Sequence, residues 1–340
     1  MKRWQFWLGV LISVVFLYLA LRGLHIGDVW DILQGAQYLW LIPGVATYFV
    51  AVWVRSWRWR YLLRPAKTIS TKTLFPIVAI GYMGNNVYPA RAGEILRPVV
   101  LRRREQIPIS FSLATIVVEH VFDGVVMLSF VFLNLPRLVR ATANSGFVGS
   151  IQTLAVWAAA AFIGVLVVFL LAAMFPAVAE GVVRWLVTRI IPGRFRDKFL
   201  DVVLRFLGGL ESLSSPREAL IIFFASVAIW LFELGNYWFV MQAFDFRVSF
   251  FALMLMTGIV NLAIMIPSAP GHVGTFDAPG IAVLKAFGVD PAIAAGYTVV
   301  LHLALWAPIT ALGAYYLARE GIRWSGQLES AEQLEEGEGV

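Results

Sequence analysis

Apolar residues in this chain fall into long blocks separated by short polar or basic stretches, and block length carries most of the structural signal. About 20 consecutive apolar residues suffice for a helix to cross a bilayer. Blocks of that kind occupy 4–21, 38–62, 109–133, 152–175, 219–243 and 291–317. Two further blocks are interrupted. Leu74–Tyr88 runs into Pro89-Ala-Arg-Ala-Gly93, and Phe250–Ile266 runs into Pro267-Ser-Ala-Pro270-Gly271-His-Val-Gly274. A Gly/Pro-broken apolar segment leaves backbone groups unpaired, which a bilayer tolerates only where protein or a water-filled cavity surrounds them. Within 177–214, Phe195, Phe199, Val202, Val203, Phe206, Leu207 and Leu210 recur at helical spacing opposite Arg196, Lys198 and Arg205, the pattern of a supporting helix at headgroup level.

Charge placement turns these blocks into a topology. One basic run (Arg55, Arg58, Arg60, Arg64, Lys67, Lys72) precedes the first broken block, and another (Arg97, Arg102, Arg103, Arg104) follows it. Both share the cytoplasmic side, as the positive-inside bias favours, if the block between them dips in and returns. The chain therefore reads as an all-α polytopic membrane protein with six full spans and two re-entrant helical hairpins, at 74–97 and 250–288. All 27 Lys and Arg residues except Arg22, Arg137, Arg140, Arg247 and Lys285 then lie on or near the cytoplasmic face. Both termini are placed inside, in a cell inner membrane, and 318–340 forms a disordered acidic tail. Bulky residues at Leu19-Ala-Leu-Arg22 give no signal-peptide cleavage site, so 4–21 is read as a retained span.

The order span, span, hairpin, span occurs twice, over 1–133 and 151–317, joined by an external connection at 134–150. Two such units of opposite sense form an inverted-topology repeat, an architecture in which the site lies where the broken helices meet. The two breaks share a Pro-x-x-x-Gly step, Pro89 to Gly93 and Pro267 to Gly271.

Composition agrees and narrows the chemistry. The chain is 60% hydrophobic and 14% charged, with 13 tryptophans and no cysteine. That excludes disulfides and thiolate chemistry. The net charge of +6 follows from arginines at the ends of apolar blocks, so nucleic acid is not an expected partner. No Walker loop, His-Glu-x-x-His or Gly-x-Ser-x-Gly motif occurs, and no cofactor or metal is expected.

Ionisable residues inside apolar blocks cost several kcal/mol unless paired or hydrated, so they mark the candidate site. Glu119 and Asp123, four apart on one helix face, call for a shared proton or a cation such as Arg91 or Arg97. Glu94 sits between those arginines, whose guanidinium forks match phosphate oxygens. Glu233 needs a partner within its span. Asn86 and Asn261 stand at the helix breaks, as capping groups or as substrate contacts, and Asp277 closes the second break. The breakers themselves are Pro89, Gly93, Pro267, Pro270, Gly271 and Gly274. His120 and His302, among apolar neighbours, are read as packed, hydrogen-bonded histidines.

Three segments carry a family resemblance: Asn86-Val-Tyr-Pro-Ala-Arg-Ala-Gly-Glu-Ile-Leu-Arg97, Val118-Glu-His-Val-Phe-Asp123 and Pro267-Ser-Ala-Pro-Gly-His-Val-Gly-Thr-Phe-Asp277. In order, they resemble the flippase-like membrane domain of lysylphosphatidylglycerol synthetase/flippase proteins, which also occurs alone. The family often has Glu-Arg where this chain has Glu119-His120, and Glu where it has Asp277. The resemblance implies movement of a lipid with a charged headgroup between leaflets: an anionic or aminoacylated phospholipid, or a lipid-linked sugar. The 340 residues leave no room for an aminoacyl-transferase domain, so the expectation is a translocase and not an enzyme. The alternative is a glycosyltransferase, or its accessory subunit, acting on polyprenyl-phosphate-linked sugars. A homo-oligomer and a separate lipid-modifying enzyme stay open as partners.

Overall fold

In the computed structural model the described residues are 3–22, 25–88, 91–141, 175–190, 216–266 and 268–319, with the isolated positions 164, 193, 196, 200 and 204. They form α1 (Arg3–Leu21), α2 (Ile26–Gly35), α3 (Leu41–Leu63, led in by a 3-10 turn at Tyr38–Trp40), α4 (Thr71–Val87) and α5 (Gly93–Glu105). There follow α6 (Ile109–Ala141), α7 (Pro176–Ile190), α8 (Pro216–Gln242), α9 (Phe250–Ala263), α10 (Asp277–Ala286) and α11 (Pro291–Arg319). No strand occurs among the described residues.

Four helices are long and apolar enough to cross a membrane: Tyr38–Leu63, Ile109–Asn134, Arg217–Gln242 and Pro291–Arg319. They coincide with four of the six apolar blocks. The block at 4–21 is helical as α1, within which Gly9–Tyr18 is a shorter apolar stretch. The block at 152–175, apart from its isolated described positions, lies outside the described residues, as do most of the supporting helix beyond Ile190, Pro89, Pro267 and the tail from 320. One boundary differs. α6 remains helical to Ala141, so the connection expected from 134 begins later, because Leu135, Arg137, Leu138 and Arg140 are good helix formers around Pro136.

Both breaks have local causes. Ser70 starts α4 by accepting the Thr73 N–H at 3.1 Å. The helix stops at Tyr88, extended at φ −107°, ψ 147°, as residues preceding a proline prefer. α5 then returns along α4 at a separation only glycine permits. A methyl on Gly93 would strike the carbonyl oxygen of Gly81, and one on Gly84 would strike Gly93. In the second break Pro270–His272 makes a 3-10 turn in which Gly271 has φ 74°. α10 begins beyond it, and the Asp277 carboxylate accepts the Gly274 N–H at 2.8 Å.

The packing is reciprocal. α4 lies against α11 and α9 against α6; α5 lies against α6 and α10 against α11; α3 and α8 form the most extensive pair. The two breaks also meet, since a methyl on Gly271 would touch the Asn86 carbonyl oxygen at 3.4 Å. Two apolar cores result. One is built from α3, α4 and α5 with Val118, Phe122 and Ile309, the other from α8 to α11 with Val126 to Val131 of α6.

Replacing Gly93 by Ala should therefore destabilise the fold by about 1–3 kcal/mol through overpacking. Thermal unfolding in detergent checks it. Gly181→Ala, whose added methyl meets no atom within 4 Å, should leave the transition where it is or raise it slightly.

Candidate functional site

Where the two cores face each other lies a cavity of about 280 Å³, near the lower end of ligand-pocket size at roughly 300 Å³. Its wall combines both breaks with the inner faces of α3, α6, α8 and α11. Eight of the nine sequence-derived contacts line it: Asn86, Arg91, Glu94, Arg97, Glu119, Asp123, Glu233 and Asn261. Asp277 is apart from them. It is buried, with one oxygen on the Gly274 N–H and the other 2.9 Å from His302 Nδ1, so it clamps the second break. His302 Nε2 lies 2.8 Å from the Gly271 carbonyl oxygen.

The cavity floor is a row of alternating charges. Arg97 grips Glu119 through two nitrogens, at 2.7 and 3.3 Å, while its guanidinium stacks 3.6 Å above the Trp59 ring. Arg58 reaches Glu119 at 3.6 Å and holds both oxygens of Asp123, at 2.5 and 3.1 Å, donating also to Ser226 Oγ. Arg55 joins Asp123 at 3.4 Å to Glu233 at 2.7 Å and lies 4.5 Å over the Trp230 ring. Arg58 is 1% exposed and Glu119 4%, so these are ion pairs in an apolar surround, not surface contacts. One row thereby ties α5, α6, α3 and α8 together.

Glu119 and Asp123 thus answer their like charges with cations, one of which, Arg97, the sequence suggested. Arg97 serves Glu119, whereas Arg91 turns to Glu94 at 3.0 Å. Asp123 and Glu233 are served by Arg55 and Arg58, which the sequence reading assigned to a basic run at the end of a span. Both arginines are instead buried inside α3, Arg58 roughly one turn and Arg55 roughly two turns before its end. The signal was their spacing, since Arg55, Arg58, Trp59 and Leu62 form one helical face within an apolar block.

The upper wall is less committed. Glu94 is also 3.3 Å from His120 Nε2, and His120 Nδ1 is 2.7 Å from the Ile116 carbonyl oxygen. Asn86 Nδ2 donates to Thr310 Oγ1 at 2.8 Å, and Asn261 Nδ2 to the Thr257 carbonyl at 2.9 Å, so both amides brace helices while facing the cavity. His272, unremarked in the sequence, projects from the second break into the cavity wall. It is largely buried there, close to Arg91 and His302. Among the described residues no group of three or more His, Asp or Glu side chains is placed to hold a metal ion.

Residues 6–313 match the family model described as the lysylphosphatidylglycerol synthase TM region. The chain belongs to that family. Among relatives within it or close to it, glycosyltransferase AglD of Haloferax volcanii is 29% identical, over 86% of this chain and 51% of its own length. The chain therefore spans about half of AglD. UPF0104 membrane proteins of Methanocaldococcus jannaschii and Methanothermobacter thermautotrophicus are 22% and 23% identical, each over 89% of this chain and over 91% and 92% of their own lengths. Together with the four long apolar helices, membership makes this an all-helical, multi-pass integral membrane protein.

Removing one member of the charge row should be costly. Asp123→Asn leaves Arg58 and Arg55 short of their shared carboxylate and should lower stability by about 3–5 kcal/mol. Adding Arg58→Met restores the count, with Arg97–Glu119 and Arg55–Glu233 intact, so the double variant should lose at least about 1 kcal/mol less than the two single losses added. Denaturation of all three variants in detergent micelles measures both quantities.

Proposed function

We propose that this protein moves a lipid with a charged headgroup between leaflets, passing the headgroup through the cavity while the acyl chains stay in the bilayer. The observation that carries this reading is the row of buried arginines and carboxylates, six groups in alternation, opening on a cavity between two broken helices. Ionisable groups at that depth are expensive and normally mark a pathway. The mouth of the cavity adds support. Met265 lines it and is 57% exposed, and Val87 and Ile95 beside the first break are exposed apolar side chains as well. That is the surface a lipid entering sideways would meet.

In this reading the α4–α5 and α9–α10 pairs are re-entrant hairpins of an inverted repeat, with both termini on the cytoplasmic side. Their reciprocal packing on α11 and α6 supports it. Exchange of one hairpin's exposure for the other's gives alternating access. Glu94, with Glu119 and Asp123 beneath it, holds a cationic headgroup group or a coupling proton.

A second reading is favoured by one comparison. Because the AglD relative is named a glycosyltransferase, the same cavity could present a polyprenyl-phosphate-linked sugar for glycosyl transfer. The two readings separate in reconstituted liposomes. Purified protein should accelerate the bilayer crossing of fluorescent phospholipids, and Glu94→Gln and Arg91→Ala should each slow it about tenfold, equivalent to roughly 1.4 kcal/mol in the barrier. Crossing at the wild-type rate in both variants would place the pathway elsewhere. Glycosyl transfer by the purified chain from a nucleotide-linked or lipid-linked sugar would support the second reading instead.

A further inference from the structure

Among the described residues, three that are not glycine adopt a left-handed backbone: Arg91 at φ 55°, Gln106 at φ 60° and His272 at φ 58°. Gln106 ends α5 on the surface, where such a residue is ordinary. The other two sit one in each break, and both line the cavity. For side chains of this size the conformation is unfavourable and persists where the surroundings impose it, most often at a functional site. Glycine would serve the chain path better at either position.

Both side chains also offer donors with no hydrogen-bond partner among the described residues, as do the buried Nε atoms of Arg55, Arg58 and Arg97 and the Trp230 indole. Arg97, Arg58 and Arg55 each have both terminal nitrogens bound to carboxylates. Arg91 meets Glu94 through Nε, and its terminal nitrogens have no further partner among the described residues. His272 Nδ1 is buried without a hydrogen-bond partner, and so is the Asn85 side-chain oxygen on the same wall. Close by, α5 starts after Ala92 without a side-chain cap, the Glu94, Ile95 and Leu96 amides turning to the Arg91 and Ala92 carbonyls.

We propose that Arg91 and His272, one from each break, form a subsite for the phosphate oxygens of the transported molecule, leaving Arg97 to hold Glu119. The proposal deepens the transport reading and rests on it for the lipid nature of the ligand. A phosphate entering here takes the terminal nitrogens of Arg91 in the two-pronged geometry guanidinium favours and one N–H from His272. It also competes with Glu94 for Arg91, which frees that carboxylate for a headgroup amine. Since one partner comes from each break, a bound phosphate bridges the two halves at their junction.

The test uses the purified full chain and two substitutions that the backbone itself prefers, Arg91→Gly and His272→Gly. Each variant should unfold at or above the wild-type temperature, since glycine relieves the left-handed residue. Phosphatidylglycerol and a polyprenyl phosphate should raise the wild-type unfolding temperature. Diacylglycerol, which lacks phosphate, should not. Lipid titration should show phosphatidylglycerol binding weakened about tenfold or more in each glycine variant, as loss of a charged hydrogen bond requires. Stabilisation by inorganic phosphate alone, abolished in the same variants, would keep the subsite but assign it to a soluble anion. Equal response to diacylglycerol and phosphatidylglycerol, or unchanged binding in both variants, overturns it. Liposome crossing is read separately. Normal crossing with phosphate-independent binding removes the subsite and leaves transport standing, whereas phosphate-dependent binding without crossing does the reverse.

Discussion

Everything in this molecule is arranged around the cost of placing six charges in an apolar interior. Arg97, Glu119, Arg58, Asp123, Arg55 and Glu233 solve it by alternation, each ion bordered by its opposite. Aromatic faces complete the solvation, with Trp59 under Arg97 and Trp230 under Arg55. Because the six residues come from four helices, the arrangement is also a packing instruction. α3 must face α6 and α8 in one rotation, and α5 must lie close enough for Arg97 to reach Glu119. A buried ion row adds little net stability against an apolar replacement, so its persistence is better explained by what it faces than by what it holds.

Glycine does the complementary work. Where α5 turns back on α4, Gly81, Gly84 and Gly93 bring backbones into contact, which pulls the first break inward to the cavity. The second break reaches the same place by another route, through a 3-10 turn stapled by Asp277 and His302. Ser13 of α1 secures it from outside by accepting the Ala269 N–H at 2.9 Å. Two unlike local solutions therefore deliver the same result, a chain interruption facing a polar space.

The four long apolar helices were legible because span length is written directly in composition, and both interruptions were legible because proline and glycine have few other uses in such blocks. Glu94, Glu119, Asp123 and Glu233 stood out for the opposite reason, being costly where they are. Arg55 and Arg58 did not, since arginine near the end of an apolar block has a cheaper explanation as a topological anchor. Asp277 looked like its neighbours in sequence, but whether a carboxylate faces a cavity or its own backbone depends on a turn only the fold supplies. His272 gave no sign, because left-handed φ in a histidine cannot be seen in letters. Nor could any pattern say that α4 packs on α11 and α9 on α6.

Alternation along the charge row has one more effect. The short contacts pair Arg97 with Glu119, Arg58 with Asp123 and Arg55 with Glu233; the longer ones, at 3.6 and 3.4 Å, already pair Glu119 with Arg58 and Asp123 with Arg55. Each inner ion thus borders two partners, whereas Arg97 and Glu233, at the two ends of the row, border one each.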